Sequence, residues 1–131
     1  MTSNARGQVV VIEDDDSNRR TLSRALTRDG YRVEAFHEAP PALEYLRENR
    51  DIVLVITDLK LPGMDGFAAL EKLKANEHTK TIPVIALTAN VMPRDIERGR
   101  QAGFYTYLTK PIRINEIAST VSEALPSKRI S

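Results

Sequence analysis

The chain has 131 residues, 41% of them hydrophobic and 28% charged, with a net charge of +1 from 19 basic and 18 acidic side chains and no cysteine. That size fits one domain able to bury a core without disulfides or a structural metal, and the balanced charge leaves no broad basic field for direct nucleic-acid binding. No apolar run approaches the roughly 20 residues of a membrane-spanning helix, and the start MTSNARGQ lacks an apolar signal core, so the expected setting is the reducing cytoplasm, without membrane contact by this chain.

Residues 1–7 read as a disordered leader, 8–126 as one folded domain and 127–131 as a frayed tail. The first strand is Val9-Val10-Val11-Ile12, and a helix follows over residues 17–29, with Asp16 or Ser17 as its N-cap and Gly30 beyond its end. A more alternating strand at 31–36 precedes a helix at 38–48. Ile52-Val53-Leu54-Val55-Ile56 then forms the third strand. Helix 66–76 is capped by Asp65. Val84-Ile85-Ala86-Leu87 forms the fourth strand, and the next helix opens near Pro93 and closes at Gly103. Strand 104–108 and helix 114–125 complete the chain. Strands alternating with amphipathic helices predict a parallel sheet covered by helices on both faces. The three continuously apolar, β-branched strands are central, and 31–36 and 104–108 lie toward the edges.

In such a sheet the carboxyl ends of the strands share one edge, where open α/β folds bind ligands. Asp14, Asp58, Thr88 and Lys110 each lie at or just past a strand end, so they converge there. Clustered carboxylates with an ammonium and a hydroxyl suit a hard cation and a phosphoryl group. Adjacent acids in Glu13-Asp14-Asp15-Asp16 repel unless a cation or capping amides offset them. Glu13 and Asp14 are assigned to a metal, Mg²⁺ with Mn²⁺ as a substitute, and Asp15 and Asp16 to the helix start. Asp58 opens the loop Leu59-Lys60-Leu61-Pro62-Gly63-Met64-Asp65-Gly66 and is the expected nucleophile, giving an acyl phosphate. Mg²⁺, Lys110 and the Thr88 hydroxyl would position the transferred oxygens and offset their charge. Tyr107, beside the site strand's end, is expected to change rotamer with its state, whereas His37 and His78 have no spacing that suggests a catalytic or metal role.

The segments Val11-Ile12-Glu13-Asp14-Asp15, Ile56 to Gly66, Ala86-Leu87-Thr88-Ala89 and Tyr107-Leu108-Thr109-Lys110-Pro111, in that order, resemble the receiver domain of two-component response regulators over essentially the whole chain. The resemblance implies a flavodoxin-like (βα)5 fold with strand order 2-1-3-4-5 and a cis bond before Pro111. It implies Asp58 as phosphoacceptor, Asp14 as direct Mg²⁺ ligand, Glu13 as ligand through water, and the Lys60 carbonyl as backbone ligand. Thr88 would receive a phosphoryl oxygen, Lys110 would pair with it, and Tyr107 would report the switch. Glu13 stands where aspartate is common in the family, which keeps the charge and lengthens the side chain. Lys60 and Asn90 flank the site and would tune the phosphate lifetime.

The implied function is a phosphorelay switch that takes a phosphoryl group from a histidine kinase or histidine phosphotransfer protein. Its output passes to a downstream protein through the face of helix 4, strand 5 and helix 5, with a phosphorylation-dependent homodimer as a further expectation. The stretch 83–111 is most similar to receivers of hybrid histidine kinases. A hybrid-kinase parent and a stand-alone regulator both remain open, since no kinase segment is present in the chain. Its own phosphorylation and dephosphorylation are the only catalysis expected, because Lys60 occupies the place where a second acid would protonate a leaving group. The rivals are a Mg²⁺-dependent phosphatase or phosphotransferase with an aspartyl nucleophile and a binding module that is never phosphorylated.

Overall fold

The computed structural model of the chain describes residues 6–61, 63–89 and 92–125. Residues 1–5 of the predicted leader, the predicted tail 127–131, and Asn90 with its assigned lifetime role lie outside the described residues. The elements run β1 (Gln8–Ile12), α1 (Asp16–Arg28), β2 (Arg32–Phe36), α2 (Ala39–Glu48), β3 (Ile52–Asp58), α3 (Gly66–Ala75), β4 (Val84–Thr88), α4 (Pro93–Ala102), β5 (Thr106–Thr109) and α5 (Ile114–Ala124). The five strands form one parallel sheet in the order β2-β1-β3-β4-β5, the doubly wound arrangement expected from the resemblance.

The period-two geometry of a strand sorts each apolar run onto two faces. Val9 and Val11 of β1 join Leu54, Ile56, Ile85 and Leu87 against Leu22, Ala25 and Leu26 of α1 and Ile117 and Val121 of α5. Val10 and Ile12 join Val55, Val84 and Ala86 on the other face, against Ala42 and Leu46 of α2 and Leu70 and Leu73 of α3. Burial on both faces is what these continuously apolar runs, rich in β-branched residues, require.

Three local readings need correction. The N-cap of α1 is Asp15, whose carboxylate accepts from the Asn18 N–H at 2.8 Å, and not Asp16 or Ser17. A side chain can cap only if its oxygen reaches back over the first free amides, and Asp15 is the residue still in extended backbone. Strand β5 begins at Thr106, not at residue 104. Phe104 is 4% exposed in the turn after Gly103 and packs edge-on against Phe67 at 5.5 Å, so its apolar character serves the core rather than a ladder. Strand β2 begins at Arg32 rather than residue 31.

Other expectations hold. Asp65 caps α3 by accepting from the Ala68 N–H at 2.9 Å, Gly103 closes α4 at φ 120°, and the bond between Lys110 and Pro111 is cis. Arg6 and Gly7, the last residues of the predicted leader, are tied to the fold: the Arg6 N–H donates to the Gly30 carbonyl and the Gly7 carbonyl accepts from Arg32. Among the described residues no helix is long and apolar enough to cross a membrane.

Candidate functional site

Sheet register alone builds most of the site. Ile12 is level with Thr57, so Glu13 emerges beside Asp58 at the ends of β1 and β3. Asp58 is level with Leu87, and Thr88 with Thr109, so Thr88 and then Lys110 follow one step further along the same edge. Asp14, Asp58, Lys60, Thr88 and Lys110 line one cleft of about 390 Å³. Residues from the ends of four strands thus meet, and Lys60 joins them from the loop after β3.

Asp58 is 4% exposed at the floor of this cleft. Its Oδ1 accepts the Lys60 backbone N–H at 3.0 Å, and its Oδ2 accepts a hydrogen bond from the Lys110 ammonium. The backbone after Asp58 is held by the return of α3: the Gly66 N–H donates to the Leu59 carbonyl at 2.9 Å. A Cβ at Gly66 would lie 2.5 Å from the Asp58 carbonyl oxygen and 2.9 Å from the Leu59 Cα. Only glycine allows that close approach, which seats the start of α3 directly on the backbone that carries Asp58.

Glu13 is wholly buried. Its Oε2 accepts the Asp15 N–H at 2.9 Å, and its Oε1 lies 3.2 Å from the Lys110 Nζ but accepts no hydrogen bond among the described residues. Burial pushes its carboxyl up to about 7, the Asp58 charge adding to that rise, while the Asp15 N–H and Lys110 oppose it. Burial alone would pull the Lys110 ammonium down. The hydrogen bond and charge of Asp58, with Glu13 behind them, outweigh it and hold Lys110 above its ordinary value.

One carboxylate oxygen each from Glu13, Asp14 and Asp58 lie within 4.8 Å of one another. Three hard oxygen donors, one of them buried with only the Lys110 ion pair beside it among the described residues, fit a hard divalent cation that keeps some of its water. The residues therefore fit Mg²⁺ in kind, and Asp14, exposed at the mouth, leaves an approach from solvent.

Tyr107 lies on β5 with its hydroxyl on α4, 3.0 Å from the Asp95 carbonyl and 3.2 Å from that of Ile96. Burial, and the Asp95 charge after it, raise its phenol above the usual value. His37 and His78 are exposed, and His78 Nε2 lies 3.2 Å from the Arg47 carbonyl. Sequence reasoning did not select Phe67, Asp95 and Arg98, which also line the cleft, with the Arg98 guanidinium 3.9 Å above the Phe67 ring. Nothing in their local spacing marks them, because they reach the cleft through the packing of α3 and α4.

The profile of the response regulator receiver domain matches residues 9–122. The chain is 36% identical over 124 residues to the DNA-binding transcriptional regulator NtrC of Proteus hauseri, covering 95% of this chain and 26% of that protein. It is 30% identical to the two-component response regulator ORR11 of Oryza sativa subsp. indica, covering 90% of this chain and 80% of the relative. Against the first of these, the chain spans about a quarter of the relative's length. Among solved structures, the receiver domain of the sensor histidine kinase PA1611 of Pseudomonas aeruginosa, determined with magnesium in its active-site cleft, superposes with a TM-score of 0.84 at 30% identity, covering 94% of this chain and 100% of that one. Chemotaxis protein CheY4 of Vibrio cholerae gives a TM-score of 0.87 at 26% identity over 92% of this chain and 100% of its own. Fold, strand-end site and profile agree: the chain belongs to the response regulator receiver domains of two-component signalling.

Proposed function

We propose that the chain is a phosphorylation-dependent switch in a two-component relay, with Asp58 accepting the phosphoryl group of a phosphohistidine. The observation that carries this reading is the Asp58 carboxylate itself, nearly buried at the base of an open cleft between the Lys110 ammonium and two further carboxylates. In the transfer an Asp58 oxygen bonds to phosphorus as the N–P bond breaks, its electron pair staying on the imidazole nitrogen, which then takes a proton. Lys110 turns from the carboxylate to the new phosphoryl oxygens, and the Thr88 hydroxyl donates to another. Glu13, Asp14, Asp58 and the Lys60 carbonyl are the residues that would hold Mg²⁺, or Mn²⁺ in its place. Bound there, the ion supplies positive charge against the transferred oxygens. Reversal by water at phosphorus returns free Asp58, with the Lys60 and Asn90 side chains setting its rate.

The phosphoryl group on Asp58, held by Thr88, draws the Thr88 loop inward and frees space for Tyr107, so phosphorylation selects between two arrangements of the α4, β5 and α5 face. Met92, Tyr105 and Ile114 are large hydrophobic residues left about half exposed, at 50%, 52% and 49%. Such exposure at the N-cap of α4, on α5 and in the lead-in to β5 favours a downstream protein partner or a second phosphorylated copy on that face. The donor is a histidine kinase or a histidine phosphotransfer protein in the cytoplasm. Likeness to the PA1611 receiver supports a hybrid histidine kinase as parent, and the 80% coverage of ORR11 supports a short regulator.

Mg²⁺ and beryllofluoride, a mimic of the phosphoryl group, test the reading by tyrosine fluorescence. A saturable, Mg²⁺-dependent change that vanishes in Asp58→Asn is expected. A change that survives in Asp58→Asn, or no change in the unmodified protein, overturns it.

A further inference from the structure

Helix α4 buries just one of its residues among those described, Gly99. Glycine in a helix interior is unfavourable relative to alanine, because it has more backbone freedom to lose and no side chain to pack. At this position it leaves room for something specific. A Cβ built on Gly99 would fall on the Tyr107 hydroxyl oxygen, 2.7 Å from the Tyr107 Cζ and 3.3 Å from the Phe104 Cδ2. The hydroxyl fills the space that a side chain would need and reaches the Asp95 and Ile96 carbonyls one turn back along the same helix. Phe104 lies beside the tyrosine ring, at a centroid distance of 6.3 Å.

We propose that Gly99 is a positioning residue: the notch it leaves in α4 holds Tyr107 in its resting place and thereby sets how far the unphosphorylated switch favours rest. The proposal rests on the reading of Tyr107 as the switch residue. Any side chain at position 99 closes the notch, expels the hydroxyl from α4 and moves the protein toward its activated arrangement without phosphate. A state that is populated beforehand no longer has to be reached at the ligand's expense, so the activating ligand binds more tightly. A glycine that served only close helix packing would give a different result, since its substitution would disturb α4 whether or not Tyr107 were present.

The test compares the full chain with Gly99→Ala, Tyr107→Ala and the double variant. Tyrosine ring resonances report the position of Tyr107 without ligand, and titration with Mg²⁺ and beryllofluoride reports activation. Gly99→Ala is expected to shift the Tyr107 resonances in the unliganded protein and to tighten beryllofluoride binding about fivefold or more, within the ordinary range of a coupling between sites. In the Tyr107→Ala background the same substitution is expected to change affinity less than about twofold and to raise the melting temperature, as alanine suits a helix better than glycine. Unchanged Tyr107 resonances and affinity in Gly99→Ala overturn the proposal, as does an equal effect of Gly99→Ala with and without Tyr107. If Gly99→Ala fails to fold, the double variant decides: a folded double variant supports the notch, and an unfolded one contradicts it. Absence of beryllofluoride binding by the unmodified protein would count against the switch itself, while the ring resonances still decide the role of Gly99.

Discussion

The ammonium of Lys110 is hydrogen-bonded to the carboxylate of Asp58, 52 residues earlier in the chain. The sheet register that ends β3 at Asp58 and β5 at Thr109 brings the two together. The Lys110 side chain is 22% exposed, whereas Asp58 and Glu13 behind it are 5% and 0% exposed, so one cation stands against two nearly buried acids.

Lys110→Ala leaves those acids without their cation. Removing one partner of a buried pair costs ~3–5 kcal/mol, and the partial exposure of Lys110 lowers this to about 2–3 kcal/mol. Urea unfolding should show that loss without metal and a smaller one with saturating Mg²⁺. Phosphorylation should slow by about 10- to 100-fold, as expected when a charge-assisted hydrogen bond is lost from the transition state. Equal stability with and without the lysine would contradict the pairing.

The raised Glu13 carboxyl makes stability and metal binding depend on pH in opposite senses. Between its ordinary value of 4.5 and about 7, the folded metal-free protein keeps a proton that the unfolded chain has released. The stability of that form therefore falls as pH rises through this window. Mg²⁺ needs the ionised form, so its affinity should climb by up to about tenfold per pH unit below 7 and level off above it. Glu13→Gln should flatten the metal-free stability profile, and a Mg²⁺ affinity flat from about pH 5.5 to 8 would contradict the assignment.

Gly66→Ala would push a methyl group against the Asp58 carbonyl and the Leu59 Cα. An overpacked contact of this kind costs about 1–3 kcal/mol. Because the strain falls on the backbone that carries Asp58, phosphorylation should slow by more than the loss of folded protein accounts for. The check is the labelling rate measured well below the melting temperature.

Asp15→Ala should destabilise the fold by about 1 kcal/mol through loss of the α1 cap. Asp16→Ala should cost less than about 0.5 kcal/mol, because Asp16 is 75% exposed and its ion pair with Arg19 is screened. Thermal melts of the two variants at equal pH separate them.

The sheet and the acidic site were legible in the chain because each rests on a local signal with a fixed geometric consequence. Unbroken apolar runs rich in β-branched residues mark strands buried on both faces, and parallel register carries Glu13, Asp58, Thr88 and Lys110 to one edge whatever the loops between them do. The α1 cap was misplaced by one or two residues because four consecutive polar residues all have capping chemistry and only the backbone at Asp15 decides among them. Phe104 read as strand because an apolar residue beside β5 looks the same whether it pairs or packs. Gly99 gave no signal at all. Its meaning depends on a tyrosine eight residues later folding back onto the helix, a contact that neither periodicity nor composition encodes.

Acceptance of a phosphoryl group by Asp58, with the help of a divalent cation, is tested most directly by intact mass after incubation with acetyl phosphate. The unmodified chain and Asp58→Asn are each measured with Mg²⁺ and with a chelator. Addition of one phosphoryl group to the unmodified chain is predicted with Mg²⁺ alone, and none to Asp58→Asn under either condition. Labelling that persists in Asp58→Asn, or an unmodified chain that stays unlabelled despite bound Mg²⁺, would contradict that role for Asp58.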